Sequence, residues 1–187
     1  MINRRALLTA GVALAALLTA TRNGEAGAMI TTETIDYRSL SDAEWRKRLT
    51  AYQYDVLRKH GTERAGTSPL NREKRKGIFA CAGCDLPLFS SDTKFESDTG
   101  WPSFYQPLPD AVETKTDRSF FMTRTEVHCK RCLGHLGHVF DDGPAPTGLR
   151  YCMNSAAMRF IPVDQLEAEG YGQYLHLFQR SSAHDHR

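Results

Sequence analysis

The chain has 187 residues, 41% of them hydrophobic and 25% charged, with a formal net charge of +2. This is the profile of a soluble globular protein with a single domain large enough to bury a core. The near balance of charge excludes the basic surplus of a protein that works by holding phosphates, so nucleic acid is not an expected partner.

The first 28 residues read as a secretory signal: Arg4 and Arg5 precede an apolar run from Ala6 to Ala20, and Ala26-Gly27-Ala28 offers small residues for cleavage. The run is shorter than the ~20 residues that cross a bilayer as a helix, so a stable membrane anchor is not expected. The paired arginines point to the twin-arginine export route and a periplasmic protein. The alternative is that translation starts at Met29 and the protein is cytoplasmic. The signal carries Arg4, Arg5 and Arg22 against Glu25, so the remainder has no net charge with histidine neutral.

Residues 29–40 are expected to be a flexible segment, followed by a catalytic domain over 41–165 and a tail over 166–187. Ser41 and Glu44 form a capping box, which predicts one helix with Trp45, Leu49, Tyr52 and Val56 as its core stripe and Gly61 as its C-cap. From Gly61 to Lys76 charge and turn formers predict a long ordered loop. Alternating segments follow at Gly77 to Cys81, at Ser119 to His128 with Phe121, Thr123, Thr125 and Val127 on one face, and at Leu149 to Val163. A short terminal helix is expected from Val163 to Glu169. The pattern is that of a mainly β, antiparallel domain with an N-terminal helix packed at its start.

Five cysteines punctuate this domain. Cys81-Ala82-Gly83-Cys84 and Cys129-Lys130-Arg131-Cys132 are two C-x-x-C knuckles, and four thiolates so spaced match one closed, tetrahedral, structural zinc site. The alternative is a pair of disulfides, which an oxidising compartment permits but which C-x-x-C strains. Cys152 is left over. It stands in Arg150-Tyr151-Cys152-Met153-Asn154-Ser155, where strand alternation would put Cys152 and Asn154 on one face, with Arg150 there to favour the reactive thiolate. Just upstream, His135, His138, Asp141 and Asp142 supply groups able to pass protons. Two rivals share parts of this pattern: a non-catalytic zinc-ribbon scaffold, which gives Cys152 no work, and a peroxide-reducing thiol enzyme.

The wording of the motifs is specific. GWPSF at Gly100 to Phe104, HLGHVFDDGP at His135 to Pro144 and RYCMNSAA at Arg150 to Ala157 resemble the methionine-R-sulfoxide reductase B family, as do GTER at Gly61 to Arg64 and KFES at Lys94 to Ser97. The resemblance runs from about Trp45 to Phe160. It implies two antiparallel sheets, one structural Zn²⁺ on Cys81, Cys84, Cys129 and Cys132, and Cys152 as the nucleophile. It further implies Trp101 as the wall for the substrate methyl group, His135, His138 and Asn154 around the sulfoxide, and Thr62, Asp142 and Arg150 in support. The implied substrates are oxidised proteins bearing methionine-R-sulfoxide. Many relatives carry a resolving cysteine where this chain has Thr99, so an external thiol or thioredoxin-like reductant is expected to regenerate the enzyme. A monomer is expected to suffice.

Overall fold

The computed structural model describes residues 35–119 and 122–179. The signal segment, Phe121 and the end of the tail lie outside the described residues.

The start is helical, but the predicted single helix is two. Helix α1 (Asp42–Arg48) opens on the Ser41/Glu44 capping box, and α2 (Ala51–Lys59) opens on a second box between Thr50 and Gln53. The backbone at Thr50 is extended, because a capping residue cannot also be helical. This break resets the stripe: Trp45, Leu49 and Val56 are buried as expected, Tyr54 and Leu57 join them, and Tyr52 is 52% exposed. His60, in the left-handed region at φ 57°, ends α2 in place of Gly61. Gly61 is needed for closeness, since a Cβ there would meet the Asp55 carboxylate at 2.4 Å. The loop that follows is interrupted by a 3₁₀ turn at Pro69–Arg72, opened by the Ser68 hydroxyl.

Two antiparallel sheets carry the rest. Strand β1 (Gly77–Cys81) lies between β2 (Pro87–Ser90) and β9 (Met158–Pro162) in the small sheet. The large sheet runs in the order β3 (Lys94–Phe95), β4 (Ser103–Phe104), β8 (Arg150–Met153), β7 (His135–Phe140), β6 (Arg124–Cys129), β5 (Val112–Asp117). Phe79, Phe89 and Phe104 are fully buried between them; Phe89 stacks on Phe104 at 4.3 Å and Phe79 meets it edge-on at 4.9 Å. Truncating such a ring costs about 3–5 kcal/mol.

Three sequence expectations change here. Among the described residues of the segment Ser119 to His128 the strand begins at Arg124, and it pairs with β5, whose polar sequence VETKTD lies at the sheet edge and shows no apolar alternation. Leu149 to Val163 is two strands in different sheets, joined by a 3₁₀ turn at Ser155–Ala157. The helix expected at Val163 to Glu169 reduces to a 3₁₀ turn at Val163–Gln165. The packed body also runs past residue 165. Leu166 and Tyr171 are buried, and the Tyr171 hydroxyl donates to the Asp85 carbonyl at 2.8 Å. At the other end Tyr37 packs against Trp45, their rings 6.2 Å apart.

Candidate active site and metal centre

The two knuckles have the same local construction. Cys81 ends β1 and Cys129 ends β6; in each, the residue after the second cysteine, Asp85 or Leu133, takes a left-handed conformation. Its amide then donates back to the first cysteine's carbonyl at 2.9 Å. The tight turn points both sulfurs of a knuckle the same way, and the four sulfurs converge, buried, all within 4.8 Å of one another. Between the knuckles, Cys81 stands 3.7 Å from Cys132 and Cys84 stands 3.4 Å from Cys129. A tetrahedral ion with metal–sulfur bonds of about 2.3 Å has sulfur–sulfur edges of about 3.8 Å, so the set fits one metal ion and matches no C-x-x-C disulfide.

Cys152 lies on β8, paired with Ser103 of β4 on one side and His138 of β7 on the other. It opens into a pocket of about 120 Å³ that it shares with Thr62, Trp101, Arg124, His138, Phe140 and Asn154. Asn154, just past the end of β8, reaches the pocket from the turn that follows the strand. Gly137 lets β7 come this close: a Cβ there would stand 2.1 Å from the Cys152 carbonyl oxygen.

One unanticipated side chain assembles the pocket wall. Glu63, only 3% exposed, accepts the amides of Ser155 at 2.8 Å and Ala156 at 3.1 Å. Its own amide donates to Asn154 Oδ1 at 3.0 Å, and its carbonyl accepts Trp101 Nε1 at 3.1 Å. Asn154 Nδ2 donates to the Leu136 carbonyl at 3.1 Å. The Gly61 to Lys76 loop, the tryptophan and the asparagine are thus one hydrogen-bonded unit. The signal for Glu63 was its place in GTER.

Asp117 is the second such residue. His138 Nε2 donates to its Oδ2 at 2.9 Å, and Arg124 donates to the same oxygen at 2.8 Å. The Ser119 amide and the His138 ring hold the Asp117 carboxyl well below its ordinary range, so it only accepts. That fixes the proton on Nε2 and leaves Nδ1 as the ring's other exchangeable position. Nothing in the sequence of an edge strand distinguished Asp117 from its neighbours.

The remaining expected residues are placed differently. His135 does not line the pocket: it is buried behind His138, their rings 5.5 Å apart, and its Nδ1 meets Glu126 Oε1 at 2.7 Å. Burial lowers its pKa to about 4, so the ring is neutral near pH 7. The Arg150 guanidinium forks onto both oxygens of Asp142 at 2.8 Å and stacks over Phe140 at 4.4 Å, and its charge also favours the Cys152 thiolate, the effect its place in the strand suggested. Neither Arg150 nor Asp142 lines the pocket. Burial pushes the Cys152 thiol up, and the Thr99 hydroxyl and the Arg150 charge only partly offset it. Thr99 Oγ1 stands 3.9 Å from Cys152 Sγ.

The model of the SelR domain matches residues 49–162. The peptide methionine sulfoxide reductase MsrB of Agrobacterium fabrum is 56% identical to this chain over 124 residues, covering 66% of this chain and 92% of the relative. The protein of the same description from Leptospira interrogans is 58% identical over 121 residues, covering 64% and 92%. That from Thiobacillus denitrificans is 54% identical over 125 residues, covering 66% and 95%.

Proposed function

This chain belongs to the SelR-domain family of MsrB peptide methionine sulfoxide reductases, and from that membership we propose that it reduces methionine-R-sulfoxide in proteins with Cys152 as the nucleophile. The observation that carries the assignment is the pocket itself, where the one cysteine outside the metal cluster faces Trp101, His138 and Asn154.

The chemistry follows from these positions. The Cys152 thiolate attacks the sulfoxide sulfur, and the oxygen gains a proton as its bond to that sulfur breaks. His138, held by Asp117 with its own proton on Nε2, takes the Cys152 thiol proton at Nδ1 and passes it to that oxygen, and Asn154 holds the polar end of the substrate. Trp101 gives the methyl group an apolar wall. Net transfer of the oxygen leaves methionine and a Cys152 sulfenic acid. Two thiols of an external donor, a small thiol or a thioredoxin-like protein, then become a disulfide, Cys152 is restored and the oxygen leaves as water. An internal disulfide would have to be drawn from the metal cluster, since the other four cysteines belong to it.

The four clustered thiols take zinc in this reading, as a closed structural site with no open position for substrate. Bound to Cys81, Cys84, Cys129 and Cys132, the ion would tie the end of β1 in the small sheet to the end of β6 in the large one. Residues 1–28 serve as an export signal and the mature protein works in the periplasm. Among the described residues no helix is long and apolar enough to cross a membrane.

Peptides carrying resolved R and S sulfoxides, incubated with dithiothreitol, test the activity: only the R epimer should be consumed. Turnover of the S epimer at a similar rate overturns the reading. Mass spectrometry of the native N-terminus tests export, with a start near Met29 expected in the periplasmic fraction and an intact Met1 in the cytosol counting against it.

A further inference from the structure

Behind the pocket, on the face of β6 that carries Glu126 and His128, lies a second group of metal-ligating side chains that sulfoxide reduction does not use. Glu126 is 3% exposed, and its Oε1 meets His60 Nδ1 at 2.8 Å and His135 Nδ1 at 2.7 Å. The three ligand atoms all lie within 4.8 Å of one another. They come from three separate elements: the C-cap of α2, strand β6 and strand β7. We propose that His60, Glu126 and His135 form a second metal site, distinct from the cysteine cluster, that takes a divalent transition ion of borderline softness such as zinc or cobalt.

Two imidazoles and a carboxylate are a donor set for ions of that class, whereas magnesium and calcium prefer oxygen throughout. Bonds of about 2.0–2.2 Å from an ion to nitrogen and oxygen set neighbouring donors roughly 3–3.5 Å apart, so the contacts of 2.7 and 2.8 Å seen here need open by less than about 1 Å. In the metal-free protein they are N–H···O hydrogen bonds; an ion takes the place of the two Nδ1 protons, which pass to Nε2 of each ring.

A separate observation points the same way. His128 is 8% exposed, and neither of its ring nitrogens has a hydrogen-bond partner among the described residues. A buried polar ring left without partners is unfavourable, because its lost hydration is not replaced. Its Nε2 stands 3.6 Å from Glu126 Oε2, too far for a hydrogen bond but placed to supply a fourth donor once an ion draws the group together. Access is through His60, whose side chain is 56% exposed. Lys115 Nζ, 3.2 Å from Glu126 Oε2, must yield; its half-exposed side chain can swing into solvent.

Titration of the zinc-loaded protein with Co²⁺, followed by elemental analysis and absorption spectroscopy, tests the site. The wild type should take up one further equivalent of metal. That cobalt should show ligand-field bands without the sulfur-to-metal charge transfer of a thiolate site, while the zinc stays bound. His60→Ala, at an exposed position, should fold normally and lose the second equivalent only; Glu126→Gln should lose it as well. The proposal fails if the wild type binds no second equivalent, if the bound cobalt shows thiolate charge transfer, or if either variant retains the second ion at wild-type affinity.

Discussion

Nε2 of His138 donates to Oδ2 of Asp117 across 2.9 Å, a bond that reaches from β7 over the intervening strand β6 to the edge strand β5. The same carboxylate oxygen accepts from Arg124, so three strands fix one imidazole. Asp117→Asn keeps the size of the side chain but removes the charge that orients the ring. It should lower kcat on the order of tenfold or more, part of the 10²–10⁴ that a well-placed proton donor supplies, with KM little changed. Steady-state kinetics with a methionine-R-sulfoxide peptide checks this, and a rise in KM alone would assign Asp117 to substrate binding.

Thr99 and Cys152 supply the next test, because their side chains already face each other at 3.9 Å. Cys152→Ser should abolish turnover with metal content and fold unchanged. Thr99→Cys should place a resolving thiol where a side-chain rotation brings two sulfurs to bonding distance. After one turnover without reductant, the wild type should retain a sulfenic acid that dimedone traps, while Thr99→Cys should show, by mass spectrometry, a disulfide joining the introduced sulfur to Cys152. A wild-type disulfide formed with loss of metal would mean that the cluster takes part in recycling.

The pH dependence of Cys152 follows from its surroundings. Burial raises its pKa above the ordinary 9.0, and only the thiolate is nucleophilic, so at neutral pH the resting enzyme holds mostly thiol. Alkylation of Cys152 by iodoacetamide should therefore accelerate with rising pH, to a midpoint higher than that of an exposed cysteine. Arg150→Ala removes a cation that favours the thiolate and should move that midpoint further up. A midpoint near neutral pH would show that the thiol is activated before substrate arrives.

Removing a knuckle sulfur probes a different part of the molecule. Cys129→Ser leaves three of the four clustered sulfurs at the junction of β1 and β6, one short of the set that a tetrahedral ion would need. Structural zinc contributes on the order of 10 kcal/mol of apparent binding free energy at neutral pH, comparable to the whole stability of a domain. The variant should lose metal and its cooperative thermal transition together, as should wild type treated with a strong chelator. Calorimetry alongside metal analysis checks both.

The parts of this structure legible in sequence are those encoded by local chemistry. The two knuckles were readable because a C-x-x-C turn brings its own sulfurs together, and Cys152 stood out by subtraction. Trp101, His138 and Asn154 were legible through their motifs. The double capping box was also present in the letters, yet the apolar spacing of Trp45, Leu49, Tyr52 and Val56 suggested one continuous helix; Thr50 and Gln53 override that period. Other features depend on tertiary placement. Asp117 sits in a polar edge strand with no hydrophobic signature, and its role exists only because β5 is two strands away from His138. Glu63 has four partners, three of them about ninety positions distant in the chain, and the bidentate pairing of Arg150 with Asp142 fixes the guanidinium that the sequence placed only by strand alternation.

The short turn between β8 and β9 carries the chain from the large sheet into the small one immediately after the nucleophile. Cys152 is held in register by Ser103 and His138 on one side of that crossing, while Ile161 is paired with Ile78 and buried on the other. Strand side chains alternate between faces, so one residue gained or lost between Met153 and Met158 would either invert β9, turning Ile161 away from the core, or drag Cys152 out of its pocket. Variation in chain length is therefore barred at this crossing. It can be absorbed at the exposed turn around Pro144 to Thr147, between β7 and β8, where no strand register depends on the count.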